Sequence, residues 1–188
     1  MRTVADAIAG LPTDARKLVA VDGVDGAGKS TFGDLLALAV DRPVVRASCD
    51  DFHHPRAHRY RRGRESPEGF YLDSFDYGAL TTRLLEPFAA GRPFRRRAFD
   101  HVTDRPVAAE VEDAPANAVL VLDGLFLHRE QLRGWWSLSV LLDVPPDRAA
   151  ARLEHRDGVP ARQRYVRGQE LYFTDSQPQR HATLVISW

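Results

Sequence analysis

The chain has 188 residues, 44% of them hydrophobic, with 26 basic and 26 acidic side chains and a formal net charge of zero. That length suits one well-packed core and is short for two domains, and the balanced charge argues against a general nucleic-acid or membrane-surface binder, whose partners select a basic face. A single cysteine, Cys49, excludes an intramolecular disulfide, and no apolar stretch reaches the roughly twenty residues that span a bilayer. A soluble, cytoplasmic chain without nucleic-acid or membrane partners is expected, with a homo-oligomer left open.

The first strand is predicted over Lys17 to Asp22, a short apolar and partly β-branched run. It leads into Gly23 to Ser30, Gly-Val-Asp-Gly-Ala-Gly-Lys-Ser, which matches G-x-x-x-x-G-K-[ST], the loop that wraps the phosphates of a nucleoside triphosphate in backbone N–H groups. The chemistry explains the spelling. Gly23, Gly26 and Gly28 permit positive φ and close approach of the phosphates, Lys29 reaches the β and γ phosphates, and the Ser30 hydroxyl ligates Mg²⁺. Asp25, Ala27 and Thr31 complete the expected nucleotide-binding set. A helix is predicted over Thr31 to Val40 with Phe32, Leu35, Leu36 and Ala39 on its apolar face, and its N-terminus adds partial positive charge to the phosphate site. Strand, glycine loop and helix thus follow in the order that an ATP or GTP site requires. Lys17 and Lys29 are the only lysines among many arginines, so Lys29 stands where a compact ammonium is specifically wanted.

Further strands are predicted over Pro43 to Cys49, Ala118 to Asp123, Leu138 to Asp143 and Ala182 to Ile186, and helices over Tyr77 to Ala89, Arg129 to Gly134, Asp147 to His155 and Arg162 to Asp175. This alternation predicts an α/β fold, a parallel sheet of about five strands with helices on both faces, in one domain spanning residues 1–188. Ligands in such sheets sit at the carboxyl ends of the strands. Two irregular stretches, near residues 52–76 and 92–115, fit the alternation poorly and are expected to bind the acceptor.

Asp50 and Asp51 directly follow the second predicted strand. Phosphoryl transfer needs a carboxylate that orients the acceptor hydroxyl and takes its proton; Asp50 is the candidate, with Asp51 as a turn cap. Asp123 ends Val-Leu-Val-Leu-Asp, where a buried carboxylate needs a partner that Mg²⁺ supplies. Asp143, just before Pro145 and Pro146, reads as a turn residue. Arg148, Arg152 and Arg156 form one helical stripe, either a solvated face pairing with Glu154 and Asp157 or a lid near 148–164 in which Arg152 and Arg156 stabilise the transferring phosphoryl group. Arg59, Arg61, Arg62 and Arg64, interleaved with Tyr60, read first as a solvated loop, otherwise as a grip on a phosphate of the acceptor or on a nucleic acid. His53, His54 and His58 resemble a metal cluster, but Pro55 interrupts any helical spacing, so a dedicated transition-metal site is not expected. Phe52, Phe70, Tyr71, Phe75 and Phe99 either stack on a base or pack; Phe52 and Phe99, with His53, are taken as acceptor contacts.

In this order the phosphate loop, Asp50-Asp51-Phe52-His53, Phe99-Asp100-His101, Asp123-Gly124-Leu125-Phe126, Arg152 with Arg156-Asp157, and Ala182-Thr183-Leu184-Val185-Ile186 resemble the uridine kinase and phosphoribulokinase-like group of P-loop kinases. The resemblance implies the P-loop NTPase fold of nucleoside and nucleoside monophosphate kinases, with ATP and Mg²⁺ as cofactors. It also places Asp50 at the family's base for a ribose 5′-hydroxyl, and Asp123 where the family usually has Glu followed by Gly. It departs in the acceptor pocket. Gly69-Phe70-Tyr71-Leu72 stands where uridine kinases carry Phe-Asp-His-Pro, so the ribose-binding Asp is missing, and Asp104 falls where a histidine reads the pyrimidine. The expected function is ATP- and Mg²⁺-dependent phosphoryl transfer to a small-molecule hydroxyl acceptor, a nucleoside such as uridine or cytidine first. Pantothenate, a sugar, or a phosphorylated substrate held by Arg61, Arg62 or Arg64 are the alternatives. A nucleotide-operated switch is a further one, but guanine-specific switches use Asn-Lys-x-Asp, and the only asparagine here, Asn117, is followed by Ala118.

Overall fold

A computed structural model describes residues 1–158 and 162–188, and for Arg156 and Asp157 the backbone alone. In chain order, helix α1 (Arg2–Ala9) precedes strand β1 (Lys17–Gly23), helix α2 (Lys29–Ala39) and strand β2 (Val44–Ser48). A 3-10 turn (Cys49–Phe52) then opens the first irregular stretch, which contains α3 (Arg56–Arg59) and α4 (Pro67–Asp73). Helix α5 (Tyr77–Leu80) continues through a π turn (Thr81–Leu85) into α6 (Glu86–Ala89), the predicted single helix widened just before Pro87, whose ring cannot donate to the ladder. The second irregular stretch holds a small hairpin, β3 (Phe99–Asp100) with β4 (Arg105–Pro106). Strand β5 (Val119–Asp123), α7 (Glu130–Arg133), β6 (Leu138–Asp143), α8 (Pro146–Asp157), α9 (Gln163–Ser176), α10 (Pro178–His181) and β7 (Leu184–Ser187) complete the chain. The lid expected near 148–164 includes residues 159–161, which lie outside the described residues, as do the side chains of Arg156 and Asp157.

Five strands form one parallel sheet in the order β2-β5-β1-β6-β7. Its central strands are apolar on both faces because both are covered, and the period of two sorts their side chains. Leu18, Ala20, Leu120 and Leu122 face a core built with Phe70, Leu84 and Tyr172. Val19, Val21, Val119 and Val121 face a second core with Val4, Ile8, Phe32 and Leu36. Helix α2 differs from its predicted face: Phe32, Gly33 and Leu36 are buried, whereas Leu35 is 44% exposed and Ala39 is exposed. The Arg46 guanidinium lies against Gly33 on that buried stripe. Among the described residues, no helix is long and apolar enough to cross a membrane.

Candidate active site

Strand register assembles the site at the carboxyl edge of the sheet. Asp123 pairs with Val21 of β1 on one side and Ser48 of β2 on the other, so the phosphate loop, the turn after β2 and the acid ending β5 meet there. A cavity of about 550 Å³ opens at this edge, lined among others by Lys29, Ser30, Asp50 and Asp123.

Gly26 and Gly28 adopt φ of 77° and 83°. A Cβ at Gly26 would overlap the Ala149 carbonyl oxygen and lie 2.9 Å from Leu153 Cγ, so α8 presses on the loop where only glycine fits. The Asp25 N–H donates to Gln169 Oε1 at 2.6 Å and the Gly26 N–H to Asp25 Oδ1 at 3.0 Å. Gly23 is the last residue of β1, and Ala27 packs its methyl into the core below, so neither lines the cavity; Thr31 does. Lys29 Nζ donates to the Val24 carbonyl at 2.9 Å. Burial pulls the Lys29 ammonium below its ordinary pKa, while Asp25, Asp22, Asp50 and Asp123 hold it up. A buried ammonium beside a helix N-terminus favours an anion.

Asp123 is 3% exposed and divided between two partners. Ser30 Oγ donates to Oδ2 at 2.8 Å, and Arg46 Nη2 to Oδ1 at 2.7 Å. Arg46 also bonds Asp34 Oδ1 at 3.0 Å and the Val121 carbonyl at 2.6 Å. A hydroxyl beside a buried carboxylate is a hard oxygen set of the kind Mg²⁺ takes, so Ser30 and Asp123 fit that ion. Sequence reasoning missed Arg46; a charge in the middle of the apolar run Val44 to Ser48 was the signal.

The 3-10 turn begins when Ser48 Oγ accepts the Asp50 N–H at 3.3 Å. This sets Asp50, a residue with exposed surface, on the cavity wall, where partial loss of water around the carboxyl raises it above the ordinary range against the pull of Lys29 and His101. Asp51 instead pairs with Arg97 at 2.7 Å. His53 Nδ1 donates to the Asp50 carbonyl at 2.8 Å, and burial lowers its pKa to about 4. It is therefore neutral at pH 7, and it lines the cavity.

Several expected acceptor contacts are corrected. Phe52 is 0% and Phe99 6% exposed, and neither lines the cavity, because both rings are spent on packing. Asp104 accepts the Arg56 N–H at 2.8 Å and Arg59 Nη2 at 3.4 Å, which takes it out of the wall. Arg61 and Arg62 both bind Asp73, at 2.5 and 2.9 Å, and neither lines the cavity. Tyr60, Phe75 and Tyr165 supply the aromatic wall instead, and Arg59 and Arg164 its charge. Arg152 lines the cavity and donates to the Ala27 carbonyl at 3.1 Å, while Arg148 is exposed.

Behind the loop lies a buried network that the sequence reading did not single out. Asp22 and His128 are both 0% exposed. Asp22 Oδ1 accepts the Gly23 N–H at 2.7 Å, and Oδ2 accepts His128 Nδ1 at 2.8 Å and the Tyr172 hydroxyl at 2.5 Å. The carboxylate thus ties the first peptide of the phosphate loop to α9, and burial beside it raises the Tyr172 phenol far above its ordinary value. An acid closing a fully apolar strand was the available signal.

No protein-family model matches the chain. The ATP-dependent kinase-like protein notR' of Aspergillus versicolor is 33% identical over 118 residues, 55% of this chain and 66%, just under two thirds, of that protein's length. A structure described as a possible uridine kinase from Bacillus stearothermophilus superposes with a TM-score of 0.80 at 23% identity, covering 98% of this chain and 96% of the other. A candidate fructose transport system kinase from Silicibacter sp. TM1040 gives 0.72 at 23% identity, covering 98% of each. The D-glycerate 3-kinase of Cryptococcus neoformans gives 0.60 at 10% identity, over 94% of this chain and 88% of that one. The structural neighbours are thus uridine kinase-like and related kinases, and the chain has the fold of the P-loop kinases.

Proposed function

We propose that the protein transfers the γ-phosphoryl group of ATP to a hydroxyl of a small molecule. The observation that carries this reading is the meeting of Lys29, Ser30, Asp50 and Asp123 on one cavity wall. Lys29 and the loop amides hold the triphosphate, with Gly26, Gly28 and Thr31 around it, and Arg152 steadies charge on the transferring group. Ser30 and Asp123 would hold Mg²⁺, which when bound neutralises the β and γ phosphate oxygens. Asp50 orients the acceptor hydroxyl and takes its proton as the new bond from oxygen to γ-phosphorus forms; the bond from phosphorus to the bridging oxygen breaks and ADP leaves. His53, through its hydrogen bond to the Asp50 carbonyl, fixes the turn that presents this carboxylate.

Neighbours with this fold are named for uridine, fructose and D-glycerate, and the fold alone selects none of them. A nucleoside acceptor, which the resemblance of the motifs to the uridine kinases implies, is the second reading. Against it, Phe52 and Phe99 are packed inward and Asp104 is held by Arg56 and Arg59. The test is ADP release from ATP and Mg²⁺ across nucleosides, pantothenate, sugars and sugar acids. Acceptor-dependent ADP release is the expected result; ATP binding with no acceptor-dependent turnover in any class would overturn the proposal.

A further inference from the structure

The cavity wall made by α3 and α9 contains a buried positive charge that pairs with no carboxylate among the described residues. Arg164 is 4% exposed. Its hydrogen bonds go to neutral backbone carbonyls, Arg64 O at 2.5 Å and Arg59 O at 3.4 Å, and its Nε has no partner among the described residues. The guanidinium lies 4.7 Å from the Tyr60 ring centroid and 5.9 Å from that of Tyr165, aromatic faces that orient it without neutralising it. Arg59, 9% exposed, stands in the same wall; among the described residues its Nε has no partner and its one ion pair, to Asp104, is long at 3.4 Å.

Other arginines of this chain show the contrast. Arg16 has Asp113, Arg46 has Asp123, Arg61 and Arg62 share Asp73, and Arg97 has Asp51. A guanidinium withdrawn from water without a counter-charge is unfavourable by itself, and its planar fork of donors matches a carboxylate or phosphate. The triphosphate has its own cations in Lys29 and Arg152, which leaves Arg164 and Arg59 for the other substrate.

We infer that the acceptor carries an anionic group, a carboxylate or a phosphate, and that Arg164 and Arg59 bind it while its hydroxyl meets Asp50. This rests on the kinase reading above and narrows its substrate class to acidic hydroxyl compounds. It also assigns Arg59, which the spacing of the basic cluster did not distinguish from Arg61, Arg62 and Arg64, and Arg164, which lies outside that cluster.

The test titrates glycerol, D-glycerate and glycerol 3-phosphate, which share one carbon skeleton, into protein saturated with Mg²⁺ and a non-hydrolysable ATP analogue, using calorimetry. At least one acidic member is expected to bind tenfold or more tighter than glycerol, and which of the two does so separates the carboxylate from the phosphate. Arg164→Gln removes the charge while keeping a donor for the Arg64 carbonyl, and is expected to weaken that binding at least tenfold; Arg164→Lys is expected to weaken it less. Melting temperature confirms that the variants are folded, and Arg59→Gln supplies the same readout should Arg164→Gln fail to fold. Equal binding of the neutral and acidic members, or variants that alter affinity for the ATP analogue and not for the acid, would overturn the inference. The outcomes are separable from those of the kinase reading. Anion binding without turnover of any acceptor sinks catalysis and keeps the site, whereas turnover of neutral and acidic acceptors alike keeps catalysis and sinks the site.

Discussion

Arg46 and Asp123 face each other across neighbouring strands, Nη2 to Oδ1 at 2.7 Å, while the second oxygen of the same carboxylate receives the Ser30 hydroxyl at 2.8 Å. The guanidinium is 22% exposed and the carboxylate 5%, so the acid depends on this arginine for its charge balance. A cation brought to the Ser30 side therefore adds to a carboxylate already half satisfied, which favours shared rather than exclusive binding.

Replacing Arg46 with methionine is expected to destabilise the fold by about 2 to 4 kcal/mol, the scale of leaving a buried charge with one partner. Added Mg²⁺ should restore more stability to this variant than to the unaltered protein, because the ion replaces the missing charge. Chemical denaturation with and without Mg²⁺ measures both effects; an unchanged midpoint in the absence of Mg²⁺ would show that the pair contributes nothing.

Lys29→Ala is expected to lower transfer by orders of magnitude, since it removes the cation nearest the γ phosphate. Burial already depresses the Lys29 ammonium, so folding stability should hold or rise when it is removed. Measured kcat near the unaltered value would take the phosphate loop out of the mechanism.

Gly168 sits inside α9, where alanine would ordinarily stabilise a helix by about 1 kcal/mol. Here a Cβ would lie 2.7 Å from Phe70 Cδ1 and 2.9 Å from the Pro67 carbonyl oxygen, because α4 packs directly on this turn. Gly168→Ala is expected to destabilise by about 1 to 3 kcal/mol and to disturb the wall that holds Tyr165 and Arg164. A gain in melting temperature would mean that α4 and α9 do not pack this closely.

The glycine loop and the apolar strands were legible in the sequence because each is a local pattern tied to one geometry. Strand ends were less so: the last strand, predicted from Ala182, starts at Leu184 because the Thr183 side chain, not its backbone, accepts the Ser139 N–H at 3.0 Å. Helix α1 went unpredicted although Val4 and Ile8, at i and i+4, put its buried residues on one face. Helix α4 did carry a signal that went unused, with Ser66 accepting the Gly69 N–H at 3.0 Å and Pro67 in the first turn. Asp50 and Asp123 could be singled out as candidates because strand ends are visible, and both line the cavity. Arg164 was not, since which arginine loses its solvent depends on how α9 lies over residues 59–64, a relation that neighbours in sequence do not encode.

Asp50 and Asp51 provide the sharpest test of mechanism, because adjacent identical residues meet opposite surroundings. Asp50 opens onto the cavity with Lys29, whereas Asp51 is committed to Arg97. Asp50→Asn is expected to leave ATP affinity nearly unchanged and to lower kcat by about a hundredfold or more, the scale of a lost general base. Asp51→Asn should do much less to kcat. The pH dependence carries the same assignment. A base must be deprotonated, and partial loss of water raises Asp50 above an ordinary aspartate, so kcat/KM should fall on acidification at a higher pH than the usual value of about 3.9 would give. That acid limb should vanish in Asp50→Asn and persist in Asp51→Asn. Rate profiles of the two variants decide the matter: a larger kcat defect in Asp51→Asn, or an acid limb that survives in Asp50→Asn, would move the base elsewhere.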